Sequence, residues 1–216
     1  LDAVESVYKQ NYPVEEIIVV DDGSTDNTCR LLESHRNRIK YVYQDNAGPG
    51  AAKNRGVALA SGDWIAFLDS DDRWEPNHIE KLIEASKRNT NAVMVYCGKR
   101  FVDAEGKMLD HIPLQKKFPS GWIFKDLFYA NYISSTSVVM IRRATFLGVG
   151  GFDEKFRFIA EDYDLWIRVA AVAPIIGVPE YTVLYRRHEN NLTLQTVKQI
   201  EAHLEVLRRA QQIIRR

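Results

Sequence analysis

The sequence contains the stretch Trp64-Ile-Ala-Phe-Leu-Asp69-Ser-Asp71-Asp72, in which an apolar run ends in three carboxylates within four positions. Such a run is typical of a buried strand, so the carboxylates should lie at its C-terminal end. Like charges this close repel one another, and we therefore expect a cation to share the site. Carboxylate oxygens suit Mg²⁺ or Mn²⁺. The alternative is an acidic turn that caps the next helix, which is a common use of Asp.

Around this stretch, the first half of the chain alternates strands with helices. Residues 17–20 form an apolar, β-branched run that ends at Asp21-Asp22, and a second strand is expected at 39–43. Helices are expected at about 51–60 and downstream of Pro76. This alternation predicts a mostly parallel sheet covered by helices. Ligands of such sheets bind beyond the carboxyl ends of the strands, where both acidic clusters should lie.

The chain opens with a predicted amphipathic helix at residues 1–10, whereas a fold of this kind is expected to open with a strand. We therefore expect a strand to precede Leu1. Because residues 17–20 are apolar throughout, we expect them to lie inside the sheet, with a place beside them for that strand.

The second half of the chain is less regular. The pattern predicts a hairpin around 103–106, helices at 121–129 and from Glu161, and buried strands at 137–141 and 183–185. Beyond residue 194, Val197, Ile200, Leu204 and Leu207 form the apolar stripe of a predicted amphipathic helix.

Composition narrows the class of protein. The 216 residues include 29 Lys or Arg and 29 Asp or Glu, so the net charge is zero and wholesale nucleic-acid binding is not expected. Cys29 and Cys97 show no metal-type spacing and are interpreted as reduced structural thiols. No apolar run reaches the roughly 18 residues that span a bilayer. A soluble, cytoplasmic domain is expected, with association at the inner face of a membrane left open.

Five motifs occur in a fixed order along the chain: Asp21-Asp22-Gly23-Ser24, Gly48 to Gly56, Phe67-Leu-Asp-Ser-Asp-Asp72, Gly150-Gly-Phe-Asp153 and Glu161-Asp162-Tyr-Asp-Leu-Trp-Ile-Arg168. Together they resemble glycosyltransferase family 2, from the first helix to about residue 193. The resemblance implies an α/β GT-A fold, Rossmann-like, with a smaller antiparallel acceptor-side portion. It also implies an inverting, metal-dependent transferase that uses a nucleotide sugar.

The resemblance assigns donor-binding roles to four residues. Asp22 would accept a hydrogen bond from the nucleobase, for which uracil N3–H is the expected partner. Lys53 would hold the nucleotide, Asp69 the ribose or sugar, and Asp71 the divalent metal, Mn²⁺ or Mg²⁺. The simpler alternatives are a turn and helix cap at Asp22 and a solvated cation at Lys53.

The same resemblance makes Asp162 the catalytic base, with Glu161 as an orienting or acceptor-binding neighbour. Both carboxylates would also suit the positive end of a helix without any catalytic role. Further candidates are His188 as a metal ligand or diphosphate contact, Asp72 as an outer ligand or cap, Asp21 as a turn residue, and Arg55 as a weaker basic contact.

The function expected is transfer of a sugar from a nucleoside diphosphate donor to a hydroxyl on a sugar, lipid-linked or other acceptor, as in polysaccharide or glycolipid synthesis. The alternatives are a nucleotide-sugar-binding module without activity and a nucleotidyltransferase. We expect a single domain, with a nucleotide-sugar half at 1–100, an acceptor and catalytic half at 101–194, and a helix at 195–216.

Overall fold

A computed structural model describes residues 1–156, 159–188 and 196–214 of the chain. The helices are α1 (Asp2–Tyr8), α2 (Thr28–Leu31), α3 (Pro49–Leu59), α4 (His78–Arg88), α5 (Phe124–Tyr129), α6 (Arg143–Gly148), α7 (Glu161–Ala170) and α8 (Thr196–Ile214). The strands are β1 (Ile18–Asp22), β2 (Lys40–Gln44), β3 (Trp64–Ala66), β4 (Arg73–Trp74), β5 (Met94–Val102), β6 (Val139–Arg142) and β7 (Ile175–Arg186).

The strands form two sheets. β1 and β2 pair in parallel, with Asp22 opposite Gln44. The larger sheet has the order β3-β6-β5-β7-β4, in which β5 and β7 run parallel. The pairs β3–β6, β5–β6 and β4–β7 are antiparallel, so the larger sheet is less parallel than expected. β6 runs against β3 and β5 because strand–helix alternation stops after β5 and the chain returns through residues 103–138, whereas β4 is a two-residue strand that follows the acidic turn.

The core forms around β5, which pairs with both β6 and β7. Its first residues, Met94 to Cys97, are at most 1% exposed, as expected for a strand that is covered on both faces. α7 supplies Trp166, a fully buried side chain whose indole Nε1 donates a hydrogen bond to the carbonyl oxygen of Ile133 at 3.0 Å. The core therefore fixes α7 relative to the sheet.

β1 has a partner strand on one side only. Within the described residues it pairs with β2 alone, so the strand expected beside it, preceding Leu1, stays a prediction. α3 packs against β1, because a Cβ atom at Gly56 would lie 3.6 Å from a methyl group of Val20. This contact places the α3 side chains beside the carboxyl end of β1.

The C-terminal helix α8 is present as predicted, but its apolar side chains are covered unevenly. Val206 and Ala210 are fully buried, whereas Val197, Ile200 and Leu204 are about half exposed or more. The boundary predicted at residues 194 and 195 lies outside the described residues. Of the described helices, none combines the length and the apolar character needed to cross a membrane.

Candidate active site

Asp21 is the last residue but one of β1, and it fixes the turn that follows the strand. Its buried carboxylate accepts hydrogen bonds from the backbone N–H of Ser24 at 2.8 Å and from the hydroxyl of Tyr41 at 2.5 Å. Burial alone would raise the pKa of Asp21, but the hydrogen bonds from Tyr41 and Ser24 outweigh it and lower that pKa. Both carboxylate oxygens are thus engaged in local structure, which agrees with the turn role.

Asp22, the next residue, organises the loop in front of α3. Its Oδ1 accepts hydrogen bonds from Gln44 Nε2 at 2.8 Å and from the backbone N–H of Ala47 at 2.9 Å. Its Oδ2 accepts one from the backbone N–H of Gly48 at 2.8 Å. A carboxylate offers about four acceptor positions, so one further donor can bind at Oδ2. The carboxylate of Asp22 is therefore held in a fixed orientation, and one acceptor position on Oδ2 can still bind a donor.

Lys53 and Asp69 form an ion pair between α3 and the end of the β3 segment. Lys53 Nζ lies 2.7 Å from Asp69 Oδ1, and the hydroxyl of Thr136 donates to the same carboxylate at 3.0–3.1 Å. Burial alone would lower the pKa of Lys53, but the negative charge of Asp69 outweighs it and raises that pKa. Glu161 and Asp162 add to this effect, so Lys53 faces three carboxylates from two segments of the chain.

Asp71 lies beside His188, which is the second residue after β7. His188 Nε2 and Asp71 Oδ2 are 3.1 Å apart, so the predicted metal ligand and the predicted His candidate do meet. Within residues 1–156, 159–188 and 196–214, no three or more His, Cys, Asp or Glu side chains are grouped so that they could hold a metal ion. The described chain thus offers two ligands here.

Asp72 differs from its two acidic neighbours because it is 1% exposed. Its Oδ1 accepts a hydrogen bond from the backbone N–H of Arg186 at 3.1 Å, while Oδ2 has no hydrogen-bond partner among the described residues. Burial, reinforced by the charges of Asp69 and Asp71, raises the pKa of Asp72 to about 7. The carboxyl thus joins the acidic turn to the end of β7.

Glu161 and Asp162 form the first turn of α7. The residue before them, Ala160, has a φ of +66°, a left-handed conformation that is uncommon outside glycine. Burial, together with the charge of Asp162, raises the pKa of Glu161 to about 7. Burial also raises the pKa of Asp162, against the opposing charges of Lys53 and Lys99. Burial is thus the largest influence on the pKa of both carboxyl groups.

The segment Gly150-Gly-Phe-Asp153 follows α6 and forms hydrogen bonds with both α3 and α7. Asn54 on α3 donates to the carbonyl oxygen of Phe152 and accepts from its N–H, both at 2.9 Å. Arg168 on α7 donates to the carbonyl oxygens of Val149 and Gly151 and pairs with the buried Asp164 at 2.7 Å. Arg168 is therefore a scaffold residue, and the segment holds the helices that carry Lys53 and Asp162.

Arg55 does not join the site. It is exposed on α3, two residues from Lys53, and residues at that spacing do not face the same side of a helix. An open cavity of about 660 Å³ lies elsewhere, between the 149–155 segment, α7 and α8, with Arg168 and Arg209 in its lining. That cavity is not lined by Asp69, Asp71 or Asp162, so we do not assign the donor to it.

Lys99 on β5 is a site residue that sequence reasoning missed. Its Nζ donates to the carbonyl oxygen of Ser134 at 2.9 Å and lies 3.8 Å from the ring centroid of Tyr185. Burial lowers the pKa of Lys99 to about 8, although the charges of Asp72, Asp162 and Asp69 oppose the change. The sequence held one signal for this residue: Lys99 is the first charged residue of β5, after an uncharged run that begins at Met94.

The arrangement of strands and acidic ends defines an α/β protein of the GT-A class, as expected, and solved structures share it. S. aureus TarS in complex with UDP-GlcNAc is similar to this chain with a TM-score of 0.76 and 21% identity, over 98% of this chain and 61% of that one. The TarS complex with UDP gives 0.73 and 19%, over 97% and 60%. At these identities the similarity concerns the fold.

The chain belongs to glycosyl transferase family 2, whose model matches residues 1–147. This confirms the family expected from the motifs, of which the two beginning at Gly150 and Glu161 lie beyond the matched residues. An uncharacterised glycosyltransferase of Rickettsia typhi is 30% identical over 94% of this chain and 64% of its own length. The chondroitin synthase of Escherichia coli is also 30% identical, over 94% of this chain and 29% of its length. The chain thus spans less than two thirds of these relatives.

Proposed function

We propose that this chain transfers a sugar from a nucleoside diphosphate donor to an acceptor hydroxyl with inversion at the anomeric carbon. The observation that carries the proposal is the convergence of three carboxylate groups on Lys53: Asp69 after β3, and Glu161 and Asp162 at the start of α7. Asp71, on the same acidic turn as Asp69, pairs with His188 from beyond β7. A turn cap alone would not need carboxylates from two distant segments to face one cation.

The donor is a UDP-sugar in this proposal. Asp22 retains one acceptor position on Oδ2, which suits a single N–H donor such as uracil N3–H. Complexes of TarS with UDP and UDP-GlcNAc, on the same fold, support this choice. Asp69, fixed by Lys53 and Thr136, would accept hydrogen bonds from the ribose or sugar hydroxyls.

Asp71, with His188 as a second candidate ligand, would hold the divalent metal. Mg²⁺ and Mn²⁺ accept carboxylate oxygen, and Mg²⁺ is usually bound by one or two carboxylates together with substrate phosphates and water. A site with two protein ligands fits a metal that arrives with a diphosphate. When bound, the metal would supply Lewis-acid stabilisation of the charge on the leaving diphosphate.

Asp162 would act as the general base that removes the acceptor proton as the hydroxyl oxygen attacks. A base works best with a pKa near the working pH, and burial moves the pKa of Asp162 upward in that direction. Glu161, immediately before it, would orient the acceptor or share the proton. Lys53 would keep the pair from being neutralised together, because its charge favours the ionised carboxylates.

The acceptor hydroxyl would belong to a sugar, a lipid-linked sugar or another carrier, as in polysaccharide or glycolipid synthesis. The similarity to chondroitin synthase favours a growing polysaccharide. Trp122, which is 68% exposed, is a surface on which a sugar ring could stack. Cytoplasmic location and association with the inner face of a membrane remain parts of this proposal.

The test is to incubate the protein with UDP-, GDP- and ADP-sugars, candidate acceptors and Mn²⁺, and to measure the released products. We expect release of a nucleoside diphosphate, with Asp110→Asn, an exposed substitution, as active as wild type. Release of pyrophosphate from a nucleoside triphosphate and a sugar phosphate would identify a nucleotidyltransferase instead. Tight donor binding without any product, over a broad acceptor set, would favour a binding module.

A further inference from the structure

Lys99 is held in the site by uncharged groups. Its Nζ donates to the Ser134 carbonyl oxygen at 2.9 Å and lies 3.8 Å from the centroid of the Tyr185 ring. Throughout the described part of the chain, no carboxylate forms an ion pair with Lys99. Lys53, by contrast, lies 2.7 Å from Asp69. Among the residues that the structure describes, Lys53 thus has an acidic partner and Lys99 does not.

The Lys99 side chain is partly exposed, and a carbonyl oxygen and an aromatic ring replace part of the hydration of its ammonium group. Removing a charge from water is costly unless a counter-charge replaces the lost hydration. The charged groups that face Lys99 are Asp69, Asp72, Asp162 and Arg187. The three carboxylates attract it without forming an ion pair, Arg187 repels it, and burial lowers its pKa to about 8. An anion placed against Lys99 would therefore be strongly stabilised.

We propose that Lys99 binds the diphosphate of the nucleotide-sugar donor. This inference rests on the proposed function, because that reaction has one substrate group that must be anionic, the diphosphate, whereas the acceptor hydroxyl and the transferred sugar can be neutral. Lys53 and His188 already lie against Asp69 and Asp71. Lys99 adds a positive charge that is not paired with a carboxylate anywhere in the described residues. Its fixed contacts with Ser134 and Tyr185 place that charge before the ligand arrives.

The test compares the binding of UDP and of uridine, by calorimetry in Mn²⁺, to wild type, Lys99→Met and Lys99→Arg. Lys87→Met is the matched control, since Lys87 is an exposed lysine on α4 whose Nζ lies 5.6 Å from the Tyr12 ring centroid. We expect Lys99→Met to weaken UDP binding by about tenfold to a hundredfold, the range for a charged hydrogen bond. Uridine binding should change less than twofold, and Lys99→Arg should regain part of the UDP affinity. Thermal unfolding would establish that each variant is folded.

Three results would overturn the role of Lys99 alone. The first is wild-type affinity for UDP in Lys99→Met, and the second is an equal loss of affinity for uridine and UDP. Equally weak UDP binding by folded Lys99→Arg and Lys99→Met would also overturn it, because the charge would then be irrelevant. If wild type binds none of UDP, GDP and ADP, the proposed function fails as well. Nucleotide binding by the wild-type protein therefore distinguishes a failure of the role of Lys99 from a failure of the proposed function.

Discussion

Three buried or partly buried carboxyl groups, Asp72, Glu161 and Asp162, lie in one site, and burial raises the pKa of each. Asp69 is the exception, because Lys53 and Thr136 outweigh burial and lower its pKa. Carboxylates in one site can therefore hold different protonation states near neutral pH. Such a division is typical of sites that separate acid–base work from ligand binding.

Glu161→Gln should change the pH dependence of stability. The pKa of Glu161 rises from 4.5 to about 7 on folding, so between these values the folded protein binds more protons than the unfolded chain. Wild type should therefore lose stability as the pH rises through about 7, by up to about 3 kcal/mol. Without ligand, the free energy of unfolding of Glu161→Gln should exceed that of wild type by more at pH 8 than at pH 5.

Denaturant unfolding at pH 5 and pH 8 measures this difference. Glu105→Gln, at an exposed position, serves as the control and should behave as wild type at both pH values. A stability difference between Glu161→Gln and wild type that is the same at pH 5 and pH 8 would show that Glu161 is ionised in the folded protein throughout.

Asp71→Asn and Asp72→Asn should have different effects on Mn²⁺-dependent UDP binding, although the two carboxylates are neighbours in sequence. Asp71 meets His188, whereas Asp72 is buried and accepts the N–H of Arg186. We expect Asp71→Asn to weaken Mn²⁺-dependent UDP binding by about tenfold or more, as for the loss of a metal ligand. Asp72→Asn should retain most of that binding. Titrations with Mn²⁺ and with EDTA measure both, and equal losses or metal-independent binding by wild type would contradict the assignment.

At the scale of elements, the segment after α6 links the helices that carry the site. Asn54 pairs with both backbone groups of Phe152, a fully buried residue. Arg168 binds the carbonyl oxygens on the other side of the same turn. The position of Lys53 relative to Asp162 therefore depends on contacts that touch neither residue.

Asn54→Ala should destabilise the fold and misplace Lys53. It leaves the N–H and carbonyl groups of Phe152 without their side-chain partner, which costs about 1–3 kcal/mol for each buried group. Denaturant unfolding should show that loss, while Asn37→Ala at an exposed position should be within about 0.5 kcal/mol of wild type. Unchanged stability in Asn54→Ala would mean that solvent replaces these hydrogen bonds.

The helices and strands of the first half could be predicted because each carries its own signal. The apolar run before Asp69 and the Gly-Pro-Gly start of α3 are examples. The apolar stripe predicted on α8 did not show which residues are covered, since Val206 and Ala210 are buried while Val197 is exposed. An amphipathic pattern shows that one face is apolar, but the packing of neighbouring elements decides which residues are covered.

At the scale of the whole molecule, the site joins segments that are far apart in sequence. Asp71 and His188 are 117 positions apart and meet because β7 ends beside the acidic turn. Motif resemblance could nominate both residues but could not bring them together. Lys99 belongs to no motif, and its role depends on Ser134 and Tyr185, which only the assembled sheet places beside it. Contacts of this kind require the tertiary structure.

Single-turnover transfer by Asp162→Asn, measured together with donor affinity, tests the central claim most directly. The substitution keeps the shape of the side chain and removes its ability to accept a proton. We expect donor affinity near that of wild type and a transfer rate lower by about a hundredfold or more, the contribution of a placed general base. Transfer at a rate comparable to wild type, or a loss of donor binding as severe as the loss of rate, would contradict the account.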